Sequence, residues 1–405
     1  MVLSDTCGSD SDMSVTAIAP TNPDTTPLPS PIGTIPVEIL MRIFRMCLDA
    51  DSESYIRIIP GSSLWTLTQV CTHWRNVAST QSAFWQSILV DVDELYSLIF
   101  KRRLRSLLIP YRLLDRVLER SRNLPLQIGF RNTPPNIPDG VRNEETIALG
   151  QTLFGGLLEH RQRWESLVLR VYSTANAPIP SSYKHDFHSL ESFQLILSQP
   201  DTSVHAITQT RDVASSFLRV ICCSRSLKRV QIPNLPSDLF ISMPSSSFGS
   251  ITHLLVGLCT NLPVLKILQR SAQTLLQIDL RCVSGDEPRG QNASRRPISV
   301  VLPRLHSLKI ARGLSGAGYL VNNITTPKLM ELTIWDNPLS DTDFVPFINL
   351  VKRSGCRIRS LVAGAGPLVS DETLQSIAPW LSLQCKVVKK KGLRRCQYSA
   401  NAKSL

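Results

Sequence analysis

The chain is poor in the features that mark secreted, membrane-spanning and zinc-binding proteins. None of its ten cysteines forms a C-x-x-C pair, so we expect reduced thiols rather than a disulfide framework. No apolar run reaches the roughly 18 residues of a membrane span, and the most apolar stretch, 253–268, is interrupted by Asn261, Pro263 and Lys266. The polar N-terminus shows no signal-peptide pattern. We therefore expect a protein of the cytoplasm, the nucleus or both.

Motifs of common enzymes are also missing. The segment 313–318 (GLSGAG) has Ala317 where the nucleophile motif G-x-S-x-G needs its last glycine. Residues 364–367 (GAGP) lack the third glycine of a dinucleotide-binding loop, and no P-loop occurs. His185 and His188 have no cysteine or glutamate at metal-ligand spacing. The sequence thus predicts no catalytic residue, no metal and no cofactor, and the protein is not expected to be an enzyme.

The net charge of +12 raises the question of a nucleic-acid partner. The stretch 101–122 carries eight basic residues against Asp115 and Glu119. Leucines and valines recur there at helical spacing, so we interpret the charges as the solvated face of packed helices. No RNA-binding aromatic motif, zinc finger or basic-zipper pattern accompanies them, and a nucleic-acid partner is not expected. The basic run 389–395 is read equally well as a nuclear localisation signal and as a frayed tail.

Residues 1–31 are rich in Ser, Thr, Pro and Asp and are predicted to be disordered. The next segment begins a helix, because Pro36 suits the first helical position and Glu38 the first turn. A second amphipathic run covers 64–78, after a polar insertion at 49–63, and a short third run ends at Phe84-Trp85. Three helices are therefore predicted.

The string IPVEILMRIF, followed by LTQVCTHWRNVASTQSAFW, resembles an F-box. The resemblance implies a three-helix unit that binds the Skp-type adaptor of a cullin–RING ubiquitin ligase. Some of the matching apolar residues must instead hold the helices together. The positions that the resemblance assigns to adaptor binding are Ile35, Pro36, Ile39, Leu40, Ile43, Phe44, Leu67, Val70, Cys71, Trp74, Phe84 and Trp85.

From Trp164 onward a short figure recurs: an apolar residue, two others, an apolar residue, one other, and a third apolar residue. Its first positions are Trp164, Leu190, Leu227, Ile251, Leu275, Leu305, Leu329 and Ile358. Most intervals lie close to the period of leucine-rich repeats, and the figure predicts strands with one buried face. The alternative is an ordinary α/β domain, whose parallel strands would be buried on both faces.

We therefore predict an α/β fold: an N-terminal three-helix F-box followed by an irregular leucine-rich-repeat solenoid, with parallel strands on the concave face and helices and loops on the convex face. The chain resembles F-box proteins of the type expanded in mushroom-forming (basidiomycete) fungi. The predicted boundaries are a disordered tail at 1–31, the F-box at 32–90, a helical linker at 91–160, the solenoid at 161–385 and a basic tail at 386–405.

The resemblance implies a substrate-recognition adaptor of an SCF-type ubiquitin ligase, in which the repeats hold an unknown target protein. An F-box and repeat scaffold not coupled to ubiquitination is the alternative, and a nucleic-acid-associated repeat protein is the third hypothesis. A curved sheet offers side chains at fixed spacing to a partner. The side chains predicted to bind the target are Lys228, Arg229, Gln231, Gln277, Asp279, His306, Lys309, Glu331 and Arg359.

Overall fold

The computed structural model describes most of the chain between residues 31 and 390. The described ranges are 31–50, 55–59, 61–100, 108–132, 144–171, 187–197, 220–222, 224–234, 248–284, 299–311, 314–335, 341–364, 372, 375–376 and 378–390. Three predictions concern residues that lie outside these ranges, apart from a few border residues. They are the disordered N-terminal tail, the far end of the basic tail, and an exposed loop that the polar sequence of 283–299 also predicts.

Three helices open the described part of the chain, but their bounds differ from the prediction: the run 64–78 is divided at Cys71 into two helices, and the run that ends at Phe84-Trp85 is a 3-10 turn. Short 3-10 turns at Pro31–Thr34 and Ser82–Trp85 flank them. At the start of the first helix, the amides of Ile39 and Leu40 both donate to the Pro36 carbonyl at 3.1 Å. Extended Cys71 separates the second helix from the third, and its Sγ accepts a hydrogen bond from the Trp74 amide. The three helices are α1 (Val37–Ala50), α2 (Ser63–Val70) and α3 (Thr72–Thr80).

Six further helices whose bounds fall within the described residues lie between the strands of a long sheet. They are α4 (Val92–Phe100), α5 (Leu108–Arg120), α6 (Glu144–Glu159), α7 (Asn261–Arg270), α8 (Leu314–Asn322) and α9 (Asp341–Ser354). Short 3-10 turns occur at Arg161–Arg163 and Ala378–Trp380. Within the described ranges, no helix has both the length and the apolarity that crossing a bilayer requires.

The sheet has twelve parallel strands, and their spatial order is their order along the chain. The strands are β1 (Ile56–Arg57), β2 (Ser87–Asp91), β3 (Leu126–Asn132), β4 (Trp164–Val171), β5 (Ser192–Leu197), β6 (Arg229–Asn234), β7 (His253–Thr260), β8 (Gln277–Ser284), β10 (Ser307–Ala311), β12 (Glu331–Trp335), β13 (Ile358–Gly364) and β14 (Leu381–Lys390); β9 (Val300–Val301) and β11 (Ile324–Thr325) form a separate parallel pair. Because each strand of the long sheet pairs only with the preceding and the following strand of that sheet, the fold is solenoid-like.

The strand register is the one that the repeated figure predicts. Leu254 pairs with Ile278, Ile278 with Leu308, and Leu308 with Leu332. These side chains are buried. The residues directly before and after each of them in its own strand are at least partly exposed, with the exception of Ser307. The repeated figure from β4 to β13 therefore buries one face only, which contradicts the alternative of an α/β domain with a doubly covered sheet in the repeat region, whereas β2 also buries Leu89 on its other face.

A second set of hydrogen bonds stacks the turns that lead into the strands. The Leu276 amide donates to the Thr252 carbonyl at 2.8 Å, His306 to Leu276 at 2.9 Å, Met330 to His306 at 2.9 Å and Arg359 to Met330 at 2.7 Å. Each of these carbonyls also accepts from the amide of the next residue, so two bonds per repeat continue the ladder and fix neighbouring turns side by side. The edge of the sheet at which the strands begin is consequently a regular row of turns.

Two predicted boundaries need correction. The insertion at 49–63 is not simply a polar connection, because it contains β1, which pairs with β2 and buries Ile56 and Ile58. The segment 91–160 is not a helical linker, because it contributes β3 to the sheet between β2 and β4. The sheet therefore starts inside the predicted F-box and runs through residue 390 of the predicted basic tail, where β14 ends.

Candidate functional site

The N-terminal helical unit carries most of the exposed large apolar side chains in the described part of the chain. Five of the eight such residues lie in it: Ile32, Val37, Ile39, Met46 and Val70, which we call the apolar surface. Ile39 is 50 % exposed and Met46 is 65 % exposed. A concentration of this kind on one small unit is typical of a protein-binding surface, since single exposed apolar residues elsewhere need no explanation.

The backbone places Ile39 and Met46 on one side of α1, whereas Val37, nine residues before Met46, lies on the opposite side of the helix. Ile39 and Met46 stand seven residues apart, which is two helical turns, and half-buried Ile43 lies between them on the same side of α1. The His73 ring, at the start of α3, contacts the Ile35 carbonyl at 3.1 Å. This contact holds the beginning of α1 near the junction of α2 and α3, where exposed Val70 lies.

The structure divides the twelve residues predicted to bind the adaptor into three groups. Pro36, Ile39 and Val70 are exposed, and Ile35, Ile43, Cys71 and Trp74 are partly exposed. The other five are buried and belong to the core rather than to a contact surface: Leu40, Phe44, Leu67, Phe84 and Trp85. The reason is aromatic packing inside the unit, where the Phe44 ring lies 5.3 Å from the Trp74 ring and 5.9 Å from the Phe84 ring, centroid to centroid.

Three members of the apolar surface were missed by the sequence analysis, namely Ile32, Val37 and Met46. The available signal was that α1 has apolar residues on more than one side. A helix with a single buried stripe would place polar residues at the positions of Ile39 and Met46.

The N-terminal helical unit is continuous with the sheet. The Trp65 indole donates to the Arg57 carbonyl at 3.2 Å, which ties α2 to β1. Trp65 packs edge-on against Trp85 at 5.2 Å, and the guanidinium of Arg120, from α5, lies 5.5 Å and 4.5 Å from the two ring centroids. Burial, followed by the charge of Arg116, lowers the pKa of Arg120. This cation–π contact joins the unit to the first helices of the solenoid.

The nine residues predicted to bind a target occupy two places. Six lie on the open face of the sheet: Arg229, Gln231, Gln277, Asp279, Lys309 and Glu331. Gln277 and Glu331 share a row, since both pair with Ser307, and Asp279 pairs with Lys309. The other three lie where the strands begin: Lys228 and His306 are in the row of turns, and Arg359 is the second residue of β13, with its amide donating to the carbonyl of Met330 in the neighbouring turn. Lys228 forms an ion pair there with Glu191 at 2.6 Å.

A charged cluster that the sequence analysis missed lies at the first strands of the sheet. Arg57 pairs with Glu94 at 3.3 Å, Arg131 pairs with Asp91 at 3.4 Å, and Arg131 stands beside Arg170 in the register. Burial raises the pKa of both carboxyl groups, and it lowers the pKa of Arg131, which the charge of Arg170 lowers further. Sequence alone gives no signal for this cluster, because its members come from four segments whose register was unknown.

Comparison with known proteins bears on the helical unit. Residues 32–91 match the family model described as F-box-like. No curated protein matches the chain. The matched residues contain α1, α2, α3 and the whole of β2, so they hold both the apolar surface and the start of the sheet. An F-box-like domain supports a general role as an adaptor in SCF-type ubiquitin ligases.

Proposed function

We propose that the chain is a substrate receptor of an SCF-type cullin–RING ubiquitin ligase. Its F-box-like domain would bind a Skp-type adaptor, and its solenoid would hold a target protein. We further propose that the repeats are divergent leucine-rich repeats of the kind found in mushroom-forming fungi, and that the protein works in the cytoplasm or nucleus without an active site of its own. Bringing a target lysine close to the enzyme that carries ubiquitin requires no reactive residue in the receptor.

The observation that carries this proposal is the apolar surface on the F-box-like domain. Ile39 and Met46 project from α1, while Leu40 and Phe44 of the same helix fill the core. Because the core is already packed, the outward residues contribute nothing to it and are free to contact a partner. A few anchors of this kind supply most of the binding energy in a helix-mediated interface.

The union of the F-box-like domain with the sheet supports the second half of the proposal. A receptor that places its target in reach of a transferring enzyme benefits from a fixed distance between its two binding surfaces. Here β1 pairs with β2, and Arg120 of α5 packs on Trp65 and Trp85. These contacts favour a single rigid body over two modules on a flexible linker.

Co-purification with a Skp-type adaptor tests the proposal. The tagged full-length chain is co-expressed with the adaptor, alongside the double variant Ile39→Asp/Val70→Asp. The matched control is Val301→Asp/Val345→Asp, because those valines are 53 % and 46 % exposed on the solenoid, close to the 50 % and 46 % of Ile39 and Val70. We expect an equimolar complex for the wild type and the control.

The Ile39→Asp/Val70→Asp variant should lose the adaptor while keeping its circular dichroism spectrum. A charge in the apolar centre of an interface leaves a buried ion without a partner, and the cost is typically at least about 2 kcal/mol, or more than tenfold in affinity. If the wild type forms no complex with the adaptor, the ligase hypothesis is wrong, and the alternative of a scaffold not coupled to ubiquitination is favoured. If the complex survives the variant, the apolar surface is not the binding site.

A further inference from the structure

We propose that the turns at the C-terminal end of the solenoid bind an acidic segment of the target protein. The proposal concerns three equivalent segments, 302–306, 326–330 and 354–359, which contain the turns before β10, β12 and β13; the third segment includes the first two residues of β13. They contain four Arg or Lys residues, one His and no Asp or Glu, so four of the twelve net positive charges lie within them. We call this set the basic edge, and it consists of Arg304, His306, Lys328, Arg357 and Arg359.

The backbone places the basic edge in a line. Hydrogen bonds from Met330 to His306 and from Arg359 to Met330 hold the three turns side by side. Neighbouring parallel strands lie about 4.8 Å apart, so the three turns span roughly 10 Å. The four Arg and Lys side chains are exposed, and His306 is partly exposed. The nearest acidic position in the register is Glu331, which begins β12 and lies on the open face of the sheet.

The fold itself does not require these cations. Arg304, Lys328 and Arg357 each immediately precede the first apolar position of the repeated figure, which is Leu305, Leu329 or Ile358. The three preceding repeats have Ser226, Ser250 and Thr274 at that position, and each donates to the repeat before it, with distances of 3.0 Å to the Leu190 carbonyl, 2.9 Å to the Leu227 carbonyl and 2.8 Å to the Ile251 carbonyl. In the first repeat Arg163 holds the equivalent position and donates to the Leu124 carbonyl at 3.1 Å.

The cations therefore stand where a hydroxyl group would stabilise the turn. They also stand next to one another, and like charges on neighbouring strands are mildly destabilising. No ion pair to a carboxylate is found for Arg304, Lys328 or Arg357 within the described residues. A binding function explains why three successive repeats depart from the neutral pattern in the same way.

The dimensions and composition of the basic edge favour an acidic peptide over nucleic acid. An extended chain advances about 3.3 Å per residue, so three to five residues cover the three turns. Arginine offers paired donors that match a carboxylate. The turns contain no Phe, Tyr or Trp on which a base could stack, whereas proteins that bind single strands use such side chains. A short acidic motif is consequently the ligand class that we assign to this surface.

Fluorescence anisotropy with the full-length protein tests the assignment. The probe is a labelled peptide in which glutamate alternates with serine, and the comparison ligands are the same peptide with glutamine and a random-sequence DNA duplex. The test variant is Arg304→Ser/Lys328→Ser/Arg357→Ser. The matched control, Arg42→Gln/Arg112→Gln/Arg116→Gln, removes the same charge from three exposed helical positions outside the basic edge.

We expect the glutamate peptide to bind the wild type more tightly than the glutamine peptide or the duplex. The serine variant should bind it about tenfold more weakly, because three exposed ion pairs are removed. The control variant should stay within about twofold of the wild type, since charges farther than about 10 Å from the peptide are screened at ordinary salt. The serine variant should unfold at or above the wild-type temperature, because each new hydroxyl group can donate to the preceding turn as Ser250 does.

Three results would overturn the assignment. The first is equal binding of the glutamate and glutamine peptides, and the second is an equal loss in the test and control variants. The third is tighter binding of the duplex, which would make the basic edge a nucleic-acid surface. If the triple variant does not fold, the three single serine variants decide the question, and no weakening in any of them refutes it. The assignment rests on the proposed function in one respect, which is that the ligand is called a target. If the wild type binds the peptide but not the adaptor, the ligase hypothesis is refuted and the peptide-binding assignment is not.

Discussion

Replacing Ile58 by alanine tests whether the segment between α1 and α2 is part of the core. Ile58 follows β1 directly, its amide donates to the Leu89 carbonyl at 3.2 Å, and its side chain is 0 % exposed. Ile59, the next residue, is only partly buried. The two substitutions remove the same atoms from adjacent positions, so their difference isolates the contribution of burial.

The expected magnitude follows from that difference in burial. Truncating a fully buried isoleucine to alanine costs about 2–5 kcal/mol, which combines lost apolar burial with the cavity that remains. The same change at partly buried Ile59 should cost about 1 kcal/mol, in proportion to the smaller area that it removes from water. Because the free energy of unfolding of a domain is about 5–15 kcal/mol, the Ile58→Ala variant should lose a substantial part of its stability.

Urea unfolding followed by circular dichroism measures both variants in the full-length chain. A repeat array does not always unfold in one step, so the slope of the transition must be checked before free energies are compared. With equal slopes, Ile58→Ala should have a clearly lower midpoint than Ile59→Ala. Equal midpoints would mean that the insertion is a surface loop, and the continuity between the F-box-like domain and the sheet would be wrong.

Two other side chains give sharp expectations. Arg163→Met should lower the free energy of unfolding by about 1.5–3 kcal/mol. The reason is that the guanidinium joins two repeats, donating to Ser121 Oγ at 2.6 Å and to the Leu124 carbonyl at 3.1 Å. Unchanged stability in urea would contradict this role. Burial raises the folded-state pKa of Asp91 above its ordinary value of 3.8, although the Glu94 amide and Arg57 oppose the shift. Ionisation of Asp91 as the pH rises past 3.8 therefore favours the unfolded chain. The Asp91→Asn variant does not ionise at this position, so its stability relative to the wild type should increase with pH. A difference in stability that does not change with pH in urea titrations would refute this.

The repeated figure was sufficient to predict the strand register from sequence. Buried side chains on parallel strands must stand side by side, so equivalent positions such as Leu254, Ile278 and Leu308 align once the figure is recognised. The same reasoning failed for β1, which has two residues and lies outside the repeated figure. The alternation Ile56-Arg57-Ile58 is too short to identify a strand by itself, and it does not show that β2 and α2 lie beside these isoleucines.

The division of α1 between core and surface also lay beyond the sequence. Ile39 and Leu40 are adjacent and both apolar, yet one is 50 % exposed and the other is buried. A helix with one narrow apolar stripe identifies its buried face, but the apolar face of α1 is wider than one stripe, and the exposed charged residues Glu38, Arg42 and Arg45 occupy only the remaining side. The rest of the chain fully buries Leu40 and Phe44 and leaves Ile39 and Met46 exposed. This wide apolar face fits the proposal that a second protein covers the part of α1 that bears Ile39 and Met46.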